Sequence, residues 1–176
     1  MIVYKQTDTE GEIRQILALQ ASNLPRNLTA MEIRTEGFLT VKHTFDLLVK
    51  MNTVFPHTVA LHNEKVIGYA LSMHPQFRLE IDILRSMFLK IRNLVPDTMS
   101  YLVMGQICIA KTHRRQGVFR GLYEHMKTFI SEEFDAIITE VDTKNNRSLN
   151  AHKAIGFKEL HRYTADGREW CLIIRK

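Results

Sequence analysis

The run Ile107 to Leu122, ICIAKTHRRQGVFRGL, gathers Lys111, Arg114, Arg115 and Arg120 around Gly117. Its first half reads as an apolar strand and its second half as the opening turn of a helix. Backbone N–H groups at a helix start have no intrahelical partner, and the helix dipole adds partial positive charge at the same spot. A basic, glycine-bearing strand-to-helix loop is therefore suited to hold a phosphate. A second such junction runs Val141-Asp142-Thr143-Lys144-Asn145-Asn146-Arg147-Ser148-Leu149-Asn150-Ala151-His152 and closes on Ile155-Gly156-Phe157. It sets an amide, Asn145, and an imidazole, His152, seven residues apart, with the carboxylate Glu140 on the strand before them.

Either stretch alone would serve as an ordinary solvated turn. In this order and at this separation they resemble the two signatures of the GNAT acetyltransferases. The first is a pyrophosphate-binding loop in which Gln or Arg precedes a central Gly, followed by Gly or Ala. Arg114 takes the first position and Gly117 the central one, while Phe119 stands where Gly or Ala is usual. In the second, an Asn follows the fifth strand and a Tyr sits seven residues on, shortly before Gly-Phe. Asn145, Gly156 and Phe157 match by position, and His152 occupies the tyrosine place.

The resemblance implies acetyl-CoA as donor, no metal, and an amine acceptor, either a small molecule or a peptide or protein. It implies that Gln106 to Ala110 pairs with the pantetheine arm through Ile107 and Ile109, with Cys108 between them. An N–H near Ile107 would donate to the acetyl oxygen. The N–H groups of Gln116, Gly117, Val118, Phe119, Arg120 and Gly121 would take the pyrophosphate, helped by Arg114, Arg115 or Arg120. Asn145 would position the cofactor or fix the strand ends. His152 would protonate the departing thiolate; at an unperturbed pKa near 6.5, about a quarter of it is charged at pH 7.

Acyl transfer from a thioester to an amine needs little apparatus. A thiol of pKa about 8.5 leaves tolerably as thiolate, whereas an amine near 10.4 must first lose a proton. Positioning should supply most of the rate, with acid–base groups adding about 10²-fold or more. Family members often carry a glutamate on the fourth strand, but Tyr101 to Ala110 contains no carboxylate. Glu140 is the best carboxylate candidate for the base, set against the plainer reading of a surface or ion-paired glutamate. Without a base the chain would be a non-catalytic acyl-CoA-binding module. A basic interaction protein with no cofactor is the third reading.

The chain has 176 residues, 45% hydrophobic and 24% charged, as expected of a single soluble domain. The N-terminus lacks a signal-peptide plan and no apolar run could span a bilayer, so a cytoplasmic location with no membrane partner is expected. Cys108 and Cys171 lie in apolar strands and read as reduced thiols. The net charge of +5 is spread along the chain, without nucleic-acid-binding spacings. A homodimer is left open.

The elements that must hold these residues follow from periodicity. A short strand at Ile2 to Lys5 precedes a helix opened by a Thr9–Glu12 capping box. Pro25, Asn27 and Gly37 imply loops around a short helix at Ala30 to Glu36, and Phe45 to Met51 support another helix. Thr58 to His62 and Lys65 to Met73 form a hairpin about Asn63-Glu64. A helix near Ile81 to Ile91 falls in an insertion at residues 74–100, placed over the sheet like a lid. Leu102 to Ala110 reads as a central strand buried on both faces, with Gly105 marking a bulge or close approach. The helix Val118 to Glu132 sets Leu122, Met126, Phe129 and Ile130 on one face. Ala136 to Val141, a helix at Ser148 to Ile155, and a hairpin about Asp166-Gly167 complete the chain. The order β-α-α-β-β-α-β-α-β-α-β-β gives an α+β, GNAT-like fold. Its centre is one mixed, mainly antiparallel sheet of six to seven strands flanked by helices.

Overall fold

The computed structural model describes residues 1–36 and 38–176; the turn expected at Gly37 lies outside the described residues. Seven strands form a mixed sheet in the order β1-β2-β3-β4-β5-β7-β6. The chain divides into two interleaved compact units, residues 1–73 with 104–129 and residues 74–103 with 130–176.

The first unit holds β1 (Ile2–Gln6), α1 (Glu10–Ser22), α2 (Ala30–Glu36), α3 (Phe45–Val54), β2 (Thr58–His62) and β3 (Lys65–Met73). It continues with the later part of β4 (Tyr101–Ile109) and nearly all of α5 (Val118–Ile130). Strands β1, β2 and β3 pair antiparallel in sequence. The capping box opens α1 as expected: Glu12 N–H donates to Thr9 Oγ1 at 3.2 Å, and Thr9 N–H to Glu12 Oε2 at 3.4 Å. Asn63 and Glu64 both take positive φ at the β2–β3 turn, the backbone that a tight two-residue hairpin requires.

Gly105 is not the point of close approach. A Cβ there would make only ordinary contacts, whereas one on Gly68 of β3 would meet Val118 and Leu122 of α5 at 3.2 and 3.3 Å. Within the sheet strands the tight glycine is therefore Gly68, where α5 lies against β3. Leu122, Tyr123 and Met126 are fully buried beneath α5, so truncating Leu122 to Ala should cost about 2–5 kcal/mol. Phe129 departs from the expected stripe: it is exposed and lies against His125 at 4.9 Å between ring centres.

The second unit holds α4 (Arg85–Leu94), the start of β4, β5 (Ala136–Asp142), α6 (Asn146–Ala154), β6 (Lys158–Ala165) and β7 (Arg168–Arg175). Strand β5 pairs parallel with Tyr101–Val103 of β4 and antiparallel with β7, which pairs antiparallel with β6. The register between β4 and β5 ends at Val103. The insertion helix begins later than expected, because Asp82–Leu84 forms a 3₁₀ turn before α4. Asp166 and Gly167 both have positive φ at the last hairpin, matching their reading as its turn. Both helices expected ahead of β2, at Ala30 to Glu36 and from Phe45, are formed as α2 and α3, one more than the element order written from the sequence shows.

Candidate functional site

The loop after β4 is a 3₁₀ turn at Lys111–His113 followed by a left-handed pair, Arg115 at φ 62° and Gly117 at φ 80°. Glycine adopts that backbone without penalty, and a Cβ on Gly117 would meet no atom within 4 Å. The first bond of α5 runs from Gly121 N–H to the Gly117 carbonyl at 3.0 Å. The N–H groups of residues 116–120 thus stand ahead of it at the positive end of the helix. A helix start of this kind is a place where an anion can be held.

Gly121 is corrected. Its N–H is consumed by that bond, and it is glycine for another reason: a Cβ there would fall 2.2 Å from the Tyr4 ring. Phe119 stands half-buried with its ring 5.2 Å from that of the fully buried Tyr123. A bulky side chain is tolerated there because it packs sideways along the helix.

The arginines separate by geometry. Arg114, expected to grip phosphate, is committed elsewhere: Nη1 donates to Glu36 at 2.8 Å, Nη2 to Asn23 at 2.8 Å, and Nε to the Ile109 carbonyl at 3.2 Å. It fastens the loop to α2 and the end of α1. Arg115 is exposed, with a long 3.8 Å contact to Glu36, and is the cation better placed to meet a solvent-borne anion. Lys111 is paired with Glu32, whose carboxyl is held at about 2 by that hydrogen bond and by those from Thr29.

Past Val103, β4 alternates: Gln106 and Cys108 are buried, while Ile107 and Ile109 are partly exposed. Burial pushes the Cys108 thiol up to about 12, so it is no nucleophile. Gln106 anchors a buried polar network that the sequence did not suggest. Its Oε1 accepts from Tyr69 Oη at 2.7 Å and from Gln20 Nε2 at 2.8 Å, and its Nε2 donates to the Val41 carbonyl at 2.8 Å. Gln20 Oε1 accepts the His43 backbone N–H, so its amide nitrogen faces His43 Nδ1 at 2.9 Å. His43 Nδ1 must then accept, which leaves its proton on Nε2, a buried atom with no hydrogen-bond partner among the described residues. Groups brought together from α1, β3, β4 and the segment before α3 create this network; no local spacing signals it.

In the second unit Asn145 caps α6, its Oδ1 accepting from Ser148 N–H at 3.1 Å, and Gly156 ends the helix at φ 96°. His152 is almost completely buried and packs edge-on against Phe157, 5.1 Å between ring centres. Its Nδ1 lies 2.8 Å from the Ser148 carbonyl, which can only accept, so the neutral ring carries its proton on Nδ1. Burial lowers its pKa to about 4, and roughly one molecule in a thousand is charged at pH 7. The expected quarter is corrected accordingly; desolvation removes the charge.

Among the described residues Glu140 forms no ion pair, and it is part-buried rather than exposed. It lies on β5 and accepts a hydrogen bond from Tyr163 Oη, and burial raises its carboxyl to about 7, against the opposing effect of that bond. A carboxyl poised near neutrality can exchange a proton at physiological pH. Among the described residues, no group of three or more His, Cys, Asp or Glu could hold a metal ion, and no helix is long and apolar enough to cross a membrane.

The model of the acetyltransferase (GNAT) family matches residues 28–157, more than half of the chain. Comparison with curated proteins gives no match. Among solved structures, the chain is similar to the NatC complex bound to Gag peptide and CoA, at 18% identity and TM-score 0.67, covering 98% of this chain and 96% of that one. It is similar to the ribosomal-protein-S18-alanine N-acetyltransferase from Escherichia coli, at 13% identity and TM-score 0.65, covering 99% and 92%. A third is Arabidopsis thaliana NAA60 in complex with acetyl-CoA, at 12% identity and TM-score 0.67, covering 99% of each chain.

Proposed function

Because the chain belongs to the GNAT acetyltransferase family, we propose that it binds acetyl-CoA and transfers the acetyl group to a primary amine by direct attack on the thioester. The observation that carries the reading is the start of α5, where the open left-handed Gly117 precedes backbone N–H groups at the positive end of a helix. The pyrophosphate lies against residues 116–120, with Arg115 as the cation. The pantetheine arm runs along the Ile107–Ile109 backbone.

The amine nitrogen forms its bond to the acetyl carbon, the carbon–sulfur bond breaks, and the thiolate departs. Glu140, with its carboxyl near 7, takes the ammonium proton. The thiolate needs no dedicated acid, since its own pKa lies near 8.5. His152 holds α6 by its bond to Ser148 and its packing on Phe157, and the neutral ring offers no proton at Nε2. The NatC structure contains a peptide with CoA, and the E. coli enzyme is named for a protein alanine, which favours a peptide or protein amine over a free small molecule.

The experiment is release of CoA thiol from acetyl-CoA against a panel of peptide N-termini, lysine peptides, polyamines and amino acids. Turnover with a peptide amine supports the whole reading. CoA binding with no turnover on any amine leaves the acyl-CoA-binding module in its place.

A further inference from the structure

The insertion between β3 and β4 forms a half-open cavity of about 410 Å³ within the second unit. That volume lies within the range of small-molecule clefts, about 300–1,000 Å³. Its floor is apolar: Phe88, Ile91 and Val95 are buried beneath it, and Met99 closes one side. At its mouth Leu79 is 67% and Leu89 52% exposed, the two most solvent-exposed leucines in the chain. These two leucines carry the apolar lining of the hollow out to the solvent.

The polar lining is mostly of one sign. Arg78, Arg85 and Arg92 face the cavity with Asp97 as the one acidic residue. Arg85 is paired with Asp82 at 2.8 Å, whereas Arg78 and Arg92 form no ion pair among the described residues. Arg78 also acts electrostatically on half-buried Tyr101, which lines the same cavity. An apolar hollow carrying two uncommitted guanidiniums calls for a ligand with a hydrocarbon body and an anionic head.

We propose that this cavity binds an amphipathic monocarboxylate, its chain lying over Phe88, Ile91 and Val95 and its head meeting Arg78 and Arg92. The site uses no residue of the acetyl-transfer reading, and its test needs no acetyl-CoA.

The test is titration calorimetry of the full chain with decanoate below its micellar concentration, alongside decylamine and acetate. Decanoate should bind with a submillimolar Kd, decylamine at least 10-fold more weakly, and acetate without measurable heat. Arg78→Glu/Arg92→Glu should weaken decanoate by at least 10-fold with an unchanged Tm, since both side chains are exposed. Saturating CoA should leave the decanoate affinity as it was. Equal binding of decanoate and decylamine, undiminished binding by the double variant, or displacement by CoA would each overturn the assignment.

Discussion

Gln20 Nε2 donates to Gln106 Oε1 across 2.8 Å of buried interior, and the same oxygen accepts from Tyr69. On its other side Gln106 donates to the Val41 carbonyl, so this position of β4 needs both an acceptor and a donor. An amide supplies both; a carboxylate supplies only acceptors.

Gln106→Glu should therefore not install a base on this strand. The introduced carboxyl would face the Val41 carbonyl and keep its proton, which raises its folded pKa above the unfolded one. Its stability is then fully present below the unfolded value and lost as pH rises through the folded one. Urea midpoints should show a loss of about 1–3 kcal/mol at pH 8, with most of it recovered near pH 5. Midpoints equal to the parent's at pH 8 would contradict the donor role assigned to Gln106.

The two glycines of the loop should fail in different ways. Gly121→Ala forces a Cβ into the Tyr4 ring and should cost about 1–3 kcal/mol of stability. In a Tyr4→Ala background the same change should be nearly neutral, a coupling that a double-mutant cycle reads directly. Gly117→Ala meets no atom and should cost about 1 kcal/mol through its left-handed backbone alone. Gly117→Asp should stay folded yet lose CoA binding, because it sets a negative charge against the pyrophosphate. A folded Gly117→Asp protein that binds CoA normally would rule out this loop as the binding site.

Glu140 combines a stability signature with a catalytic one. Its folded pKa of about 7 lies above the unfolded value, so its contribution is present below about pH 4.5 and lost as pH rises through 7. Glu140→Gln keeps an acceptor for Tyr163 and removes the buried charge. The variant should be more stable than the parent by a few kcal/mol at pH 8 and show no gain at pH 4.5. If Glu140 takes the amine proton, kcat/KM should fall about 100-fold and lose its acidic limb near pH 7. Gained stability with unchanged turnover would leave Glu140 a merely buried carboxyl.

Three buried imidazoles oppose Glu140. Burial lowers His43 and His152 to about 4 and His57 to about 3. His57 is fixed neutral, with Nδ1 accepting from Ser72 N–H at 3.1 Å and Nε2 donating to the Leu48 carbonyl at 3.2 Å. For depressed groups the stability is present above the unfolded pKa and lost as pH falls. Between pH 6.5 and 4 each should remove up to about 1.4 kcal/mol per pH unit. Urea melts across that window should show a steep acid loss, flattened where Glu140 gains its proton. His152→Ala should lower stability by about 2 kcal/mol or more through the cavity it leaves, yet change kcat by less than about 10-fold. A larger kcat loss at retained CoA affinity would restore His152 as a proton donor.

Features that are local or periodic were legible in residue order. The capping box at Thr9 and Glu12, the hairpins at Asn63-Glu64 and Asp166-Gly167, the helix stop at Gly156 and the glycine at 117 each follow from backbone geometry within a few residues. Which of those residues can act depends on contacts between segments distant in the chain. Arg114 reads as a phosphate ligand until Glu36 and Asn23, far away in sequence, take its guanidinium. His152 reads as a titrating acid until burial removes its charge, and Glu140 as either a base or a surface or ion-paired carboxylate until burial raises its carboxyl to about 7. The Gln20–Gln106–His43 network and the apolar cavity of the insertion leave no trace in spacing, because each is assembled from segments with no periodic relation to one another. Protonation and partnership depend on desolvation and on who arrives from elsewhere in the chain, and neither is encoded within a single element.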